Sequence, residues 1–116
     1  MTNIQGADDI LVVLRTLASF YRTDAEEIAS SAGLPNPLMF PAETSGMGSI
    51  RDKIREMTEV LDCAQKRFPD PASAYSWYRT KPLPGMGGVT AMELVIAGRA
   101  GEVMDIISAV DAGVHA

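Results

Sequence analysis

Apolar positions along the chain fall into blocks of helical spacing, divided by stretches rich in proline and glycine. Ile10, Leu14, Leu17 and Tyr21 recur every three or four residues, with Val13 and Phe20 widening the stripe, so a first helix is predicted to bury this face. Asp8 and Asp9 stand just ahead of it, where carboxylates suit a helix N-terminus. Thr23 with Glu26 three positions on has the form of a capping box. It predicts a short second helix through Ile28 and Ala29, stopped by Gly33.

Residues 34–49 contain Pro35, Pro37 and Pro41 and two glycines. These prolines remove backbone donors and push their predecessors toward extended conformations, so the stretch is predicted to be a loop. Ser49 is then expected to cap the longest helix. In it Ile50, Ile54, Met57, Leu61, Ala64 and Phe68 form an apolar stripe, and Arg51, Lys53, Arg55, Glu56 and Glu59 occupy the other face. Pro69 and Pro71 end that helix. Ala72 to Tyr78 predicts a short helix presenting Tyr75, Trp77 and Tyr78, and Arg79 to Val89, with two prolines and three glycines, predicts another loop. Thr90 and Glu93 form a second capping box, opening a helix through Val95 that Gly98 closes. A last helix, from about Arg99 to Ala112, turns Val103, Ile106, Ile107 and Val110 inward, with Gly113 as its C-cap. No segment alternates as a strand would. The expected fold is all-α, a small helical domain of about six helices.

Composition narrows the class. The 116 residues fit one compact domain, or two helical subdomains sharing a core. At 47% hydrophobic and 22% charged, the chain reads as globular and not disordered. Aromatics are only 6%, so aliphatic side chains and seven methionines must fill the core. The net charge is −5. Residues 1–49 carry two basic and six acidic side chains, residues 50–81 seven and five, and residues 82–116 one and four. No concentrated positive patch of the kind that phosphate binding needs is present in that distribution. Cys63 is the single cysteine, which precludes an intrachain disulfide and favours a reducing compartment. With no signal-peptide pattern and no long apolar run, a cytoplasmic protein without membrane association is expected.

Candidate chemistry is sparse. The one histidine, His115, lies next to the end of the chain, a poor place for Ser–His–Asp or Cys–His catalysis. One Cys and one His make no zinc ligand set. Asp8/Asp9 and Glu26/Glu27 are adjacent in helices and point to different faces, which suits capping and solvation better than acid–base work. Gly85-Met86-Gly87-Gly88 lacks both the Lys-Ser/Thr of a P-loop and a preceding strand, so a tight turn is expected. Cys63, beside Ala64 inside a helix, reads as packing. Neither enzymatic activity nor a cofactor nor a metal is expected.

From Phe68 to Gly113 the chain resembles the toxin-binding domain of Xre/MbcA/ParS-type antitoxins. Phe68 and Asp70 stand at its opening, and Trp77-Tyr78-Arg79-Thr80 takes the place of a W-L-x-T helix end. Met86-Gly87-Gly88-Val89-Thr90 fits the following turn, and Met92, Glu93 and Leu94 the next helix start. Gly98 to Val110 fits the last helix, and Gly113-Val114 the tail. The loop after Thr80 is one residue longer than the family's, Lys81-Pro82 replaces its P-N pair, Ala91 replaces a proline, and Val89 replaces a basic residue. In such antitoxins a helix-turn-helix domain precedes the toxin-binding one, which implies a degenerate helix-turn-helix-like region at 1–49 and a toxin-binding-type helical domain at 50–116. Thr23 to Leu34 resembles the first helix and turn of that motif. The segment in the recognition-helix place, Asn36 to Thr44, carries prolines, an acid and no Arg or Lys. Such a segment cannot read a major groove well, so DNA binding is expected to have decayed unless the basic face around Arg51, Lys53 and Arg55 supports it.

The resemblance implies a partner, a RES-like, NAD-consuming toxin, neutralised by occlusion of its active site. The implied contact residues are Gly113, Val114, His115 and Ala116 of the tail, with Trp77, Tyr78 and Arg79 as anchors. Each also has a plain reading. Trp77 buries enough area to be a core residue, Arg79 at a helix end can complement the dipole, and His115 can be an exposed tail residue. Homo-oligomerisation is also expected. A helix-turn-helix regulator acting on DNA and a helical homo-oligomerisation module stand as alternatives to the antitoxin.

Overall fold

The computed structural model describes residues 7–34 and 47–111, with side chains at 10–34 and 49–110. Six helices are found among the described residues: α1 (Ala7–Tyr21), α2 (Ala25–Ser31), α3 (Met47–Gln65), α4 (Pro71–Thr80), α5 (Ala91–Ile96) and α6 (Ala100–Asp111). The expected all-α class is what the structure has. Its only β pairing among these residues is an isolated bridge between Pro82 and Thr90, which closes the loop between α4 and α5 and tucks Leu83 into the core. No described helix is long and apolar enough to cross a membrane.

The helical stripes meet in one hydrophobic cluster. It joins Ile10, Leu14 and Ala18 of α1, Ile28 and Ala29 of α2, and Ile54, Met57, Val60 and Leu61 of α3 to Tyr78, Leu94, Val95, Val103 and Ile107 of α4–α6. α4 packs against α1 as well as α3 and α5, and so ties the first helix to the later ones. The sequence division between residues 49 and 50 falls inside α3, and the cluster runs across it.

Three helices end in the same backbone device. After α2, Gly33 has φ +81°, its N–H donates to the Ser30 carbonyl, and Leu34 N–H donates to Ala29. After α5, Gly98 (φ +82°) donates to Val95, and Arg99 to Leu94. Both are Schellman motifs, in which a left-handed residue returns donors to the last turn. The end of α1 repeats the pattern with Arg22 (φ +63°) in the left-handed place and Thr23 N–H bonded to Ala18.

Several local expectations are corrected. The N-cap of α2 is Asp24, not Thr23: Asp24 has extended backbone and accepts from Glu27 N–H at 2.9 Å. The Asp24 carboxylate takes the capping bond, and the Thr23 hydroxyl bonds the Glu27 side chain instead. Ser49 does not cap α3, which begins two residues earlier. α4 runs from Pro71 to Thr80 because Pro71 sits at its first position, where a missing N–H costs nothing. Phe20 is 50% exposed, since the buried stripe of α1 runs through Ala18 and leaves Phe20 past its edge. The box at Thr90 and Glu93 forms as expected, with both reciprocal bonds present. Asp8 and Asp9 lie within the first turn of α1, with their side chains outside those described, and Asn36 to Thr44 and Gly113 lie outside the described residues.

Candidate functional site

α4 starts cleanly. The Asp70 carboxylate accepts from Ser73 N–H at 2.8 Å, and that bond holds its pKa below the usual carboxylate value. From this start Ala74, Tyr75 and Tyr78 fall on one face and are buried, while Trp77 and Arg79 sit on its flanks, partly exposed.

The two tyrosines converge on one residue of α2. The Tyr78 hydroxyl donates to the Ser31 carbonyl at 2.8 Å, and the Tyr75 hydroxyl shares a 2.8 Å bond with the Ser31 hydroxyl. Ser31 is fully buried, and its carbonyl is among the last four of α2, which no intrahelical donor reaches. Ala32, Gly33 and Leu34 N–H groups serve Ile28, Ser30 and Ala29; Tyr78 serves the fourth. The Tyr75 ring also stacks on Tyr21, with centroids 5.4 Å apart and planes 23° from parallel. Burial raises the pKa of all three phenols. Tyr21 is pushed up to about 12 by burial and then by the Asp62 carboxylate. Tyr78 goes furthest, by burial and then by Tyr75 and Glu56. Tyr75 rises by burial, against a lowering from its bond to Ser31.

Beside this cluster lies a cleft of about 270 Å³ lined in part by Arg22, Thr23, Glu27, Tyr75, Arg79 and Thr80. Across it an Arg79 terminal nitrogen pairs with one Glu27 carboxylate oxygen, and the Thr23 hydroxyl donates to the other. The Arg79 guanidinium carbon sits 5.9 Å from the Tyr75 ring centre, within range of a cation–π contact. Its Nε–H is buried with no hydrogen-bond partner. Arg79 therefore does more than complement a helix dipole. It latches the end of α4 to the first turn of α2.

The anchors named from the sequence thus separate. Tyr78 has no exposed surface and acts from within the core, because its hydroxyl is needed at Ser31. Arg79 is about one-third exposed and already engaged. Trp77 is partly buried, its ring 6.1 Å from that of Phe68 at a 45° tilt, and both rings pack against the hydrophobic core. Gly113, Val114, His115 and Ala116 lie outside the described residues. Sequence reasoning missed Ser31, Glu27 and Tyr21. The available signal was the pair Tyr75 and Tyr78, whose hydroxyls require partners once their shared face is buried.

Among the described residues no group of three His, Cys, Asp or Glu side chains is placed to hold a metal ion. The cleft offers one carboxylate, two guanidinium groups and hydroxyls, a set suited to charge-assisted binding. No family model, curated protein or solved structure matches this chain.

Proposed function

We propose that the chain is an antitoxin-like protein-binding module, not an enzyme, that acts in the cytoplasm and neutralises a RES-like, NAD-consuming toxin by occluding its active site. The observation that carries this reading is where the elements begin and end along α4–α6. Asp70 and Pro71 open α4, and the Trp77-Tyr78-Arg79-Thr80 run closes it. Thr90 caps α5, Gly98 ends it, and α6 follows at Ala100. These junctions fall on the positions that carry the resemblance to the toxin-binding domain.

Trp77 and Phe68 supply the aromatic anchor of the proposed contact, the residue type that dominates protein interfaces. Tyr78 contributes indirectly, by fixing the end of α4 on which Trp77 rides. The tail, Gly113 to Ala116, follows α6 in the sequence and is the segment assigned to blocking substrate access.

Co-expression with a RES-like protein encoded by a neighbouring reading frame tests this. Cells are expected to survive the pair and not the toxin alone, and a chain lacking residues 113–116 is expected to protect less well. Full protection by the truncated chain would refute tail occlusion. Failure of the intact chain to protect would remove the antitoxin reading. Salt-sensitive retention on DNA from its own promoter would favour the regulator instead.

A further inference from the structure

Arg22 follows α1 in the left-handed region, φ +63°, where the ends of α2 and α5 carry glycine. A side chain held there costs conformational energy, and such cost collects at positions whose side chain is needed for binding. Arg22 is exposed and lines the cleft between α1, α2 and α4, and its guanidinium makes no hydrogen bond or ion pair among the described residues. In the same cleft Arg79 is held by Glu27 through one terminal nitrogen, and its buried Nε–H has no partner. A carboxylate that meets a guanidinium side-on serves both donors at once, and Glu27 does not.

We propose that this cleft is a binding site for a carboxylate from outside the chain, gripped by Arg22 and Arg79 in the seat that Glu27 occupies. Glu27 itself shows what the seat recognises. One of its oxygens takes the Arg79 guanidinium, the other accepts from the Thr23 hydroxyl, and the Tyr75 ring lies against Arg79. These groups already hold a carboxylate, and Arg22 beside them holds none. Glu27 is one-third exposed, so it yields the place by turning into solvent. The Tyr75 and Tyr78 bonds to Ser31 keep α2 and α4 together when it does.

Size and charge select the ligand. At about 270 Å³ the cleft is smaller than the roughly 300 Å³ at which sites for drug-sized molecules begin, so it takes one acidic side chain or one small acid. Its charged lining residues are Arg22, Arg79 and Glu27, two cations against one anion, which suits a monoanion. Asp70 and Asp24 stand nearby, in electrostatic range of Arg22 and Tyr75 respectively, each with its carboxylate engaged by a backbone N–H. Together with the chain's net charge of −5 they disfavour a doubly charged phosphate or a nucleic acid.

The isotope-labelled full chain, titrated with sodium acetate near neutral pH at constant ionic strength, tests this by NMR at the Arg22 and Arg79 Nε–H and Thr23 amide signals. No toxin enters the measurement, so it stands apart from the antitoxin reading. The shifts are expected to saturate in the millimolar range, the weak affinity of so small a ligand, while sodium chloride produces none. A capped peptide with a single glutamate separates the sources. Tighter binding than acetate assigns the site to an acidic side chain of a partner chain, and equal binding assigns it to free small acids. Arg22→Gln is expected to weaken acetate about tenfold or more, the loss of a charge-assisted bond, and Arg22→Lys less. Arg22 is exposed, so both variants should keep the amide pattern of the folded chain. Glu27→Gln is expected to tighten acetate about threefold, because it removes the competing charge. Shifts that never saturate overturn the proposal, as does phosphate that binds more tightly than acetate. Undiminished binding by Arg22→Gln overturns it too, as does a folded Glu27→Gln chain that binds no better.

Discussion

The Tyr78 hydroxyl donates a 2.8 Å hydrogen bond to the Ser31 carbonyl, joining the end of α4 to the end of α2 across 47 positions of sequence. It supplies the one donor that the last turn of α2 does not find in its own C-terminal motif. Tyr78→Phe keeps the buried ring and removes only the hydroxyl, so it isolates this bond. The stranded carbonyl should cost about 1–3 kcal/mol, read as a lower urea midpoint with an unchanged slope. An unchanged midpoint would show that water replaces the phenol. Tyr78→Ala also empties a core position and should cost about 3–5 kcal/mol.

What could be read from the sequence was what is local. The apolar stripes of α1 and α3, the box at Thr90 and Glu93, and the stops at Gly33 and Gly98 depend on residues within a turn of each other, and they stand in the structure. Local ambiguity produced the first kind of miss. Thr23 and Asp24 can both accept a helix N–H, and only the extended backbone of Asp24 (φ −120°, ψ 167°) decides between them. Distance produced the second. Ser31 reads as an ordinary polar position until α4 arrives to bury it, and Arg79 reads as a helix-end cation until Glu27 faces it. The site is legible one helix at a time, and its contacts depend on pairs of helices.

Arg22 holds the left-handed position after α1 that glycine holds after α2 and α5. A side chain there costs about 1–2 kcal/mol in conformational energy, and glycine regains part of it against a loss of about 0.4–1 kcal/mol through the freer unfolded chain. Arg22→Gly should therefore raise the thermal midpoint slightly. Gly98→Ala should lower it through backbone strain alone, because a Cβ there meets nothing. Gly33→Ala should lower it more, since its Cβ would come within 3.1 Å of an Ile96 side-chain carbon.

Alkaline pH should act through the buried phenols. Tyr21, Tyr75 and Tyr78 are all raised above their ordinary value near 10, Tyr21 to about 12. In the folded chain they hold protons that the unfolded chain releases, so the unfolded state binds fewer protons above pH 10 and stability falls there. Their contribution is fully present below pH 10 and is lost as pH rises through the folded values. Phenolate absorbance should lag the ordinary tyrosine curve and then rise together with loss of helical circular dichroism. An ordinary titration near pH 10 in a still-folded chain would sink the claim that these hydroxyls are sealed in.

The capping box at α5 offers the last test, because that helix has only six residues and so depends on its ends. Thr90 accepts from Glu93 N–H at 3.1 Å, and the Glu93 carboxylate accepts from Thr90 N–H at 2.9 Å. Thr90 is also the residue that bridges to Pro82 and closes the preceding loop. Thr90→Ala should cost about 0.5–2 kcal/mol, the range for losing such a cap, while Thr90→Ser should cost much less. If the cap also holds the loop, amide exchange at Leu83, whose N–H bonds the Val89 carbonyl at 2.8 Å, should quicken in Thr90→Ala beyond what the global loss of stability explains. Exchange that follows global stability alone would mean that the loop is held by the burial of Leu83, independently of the helix it leads into.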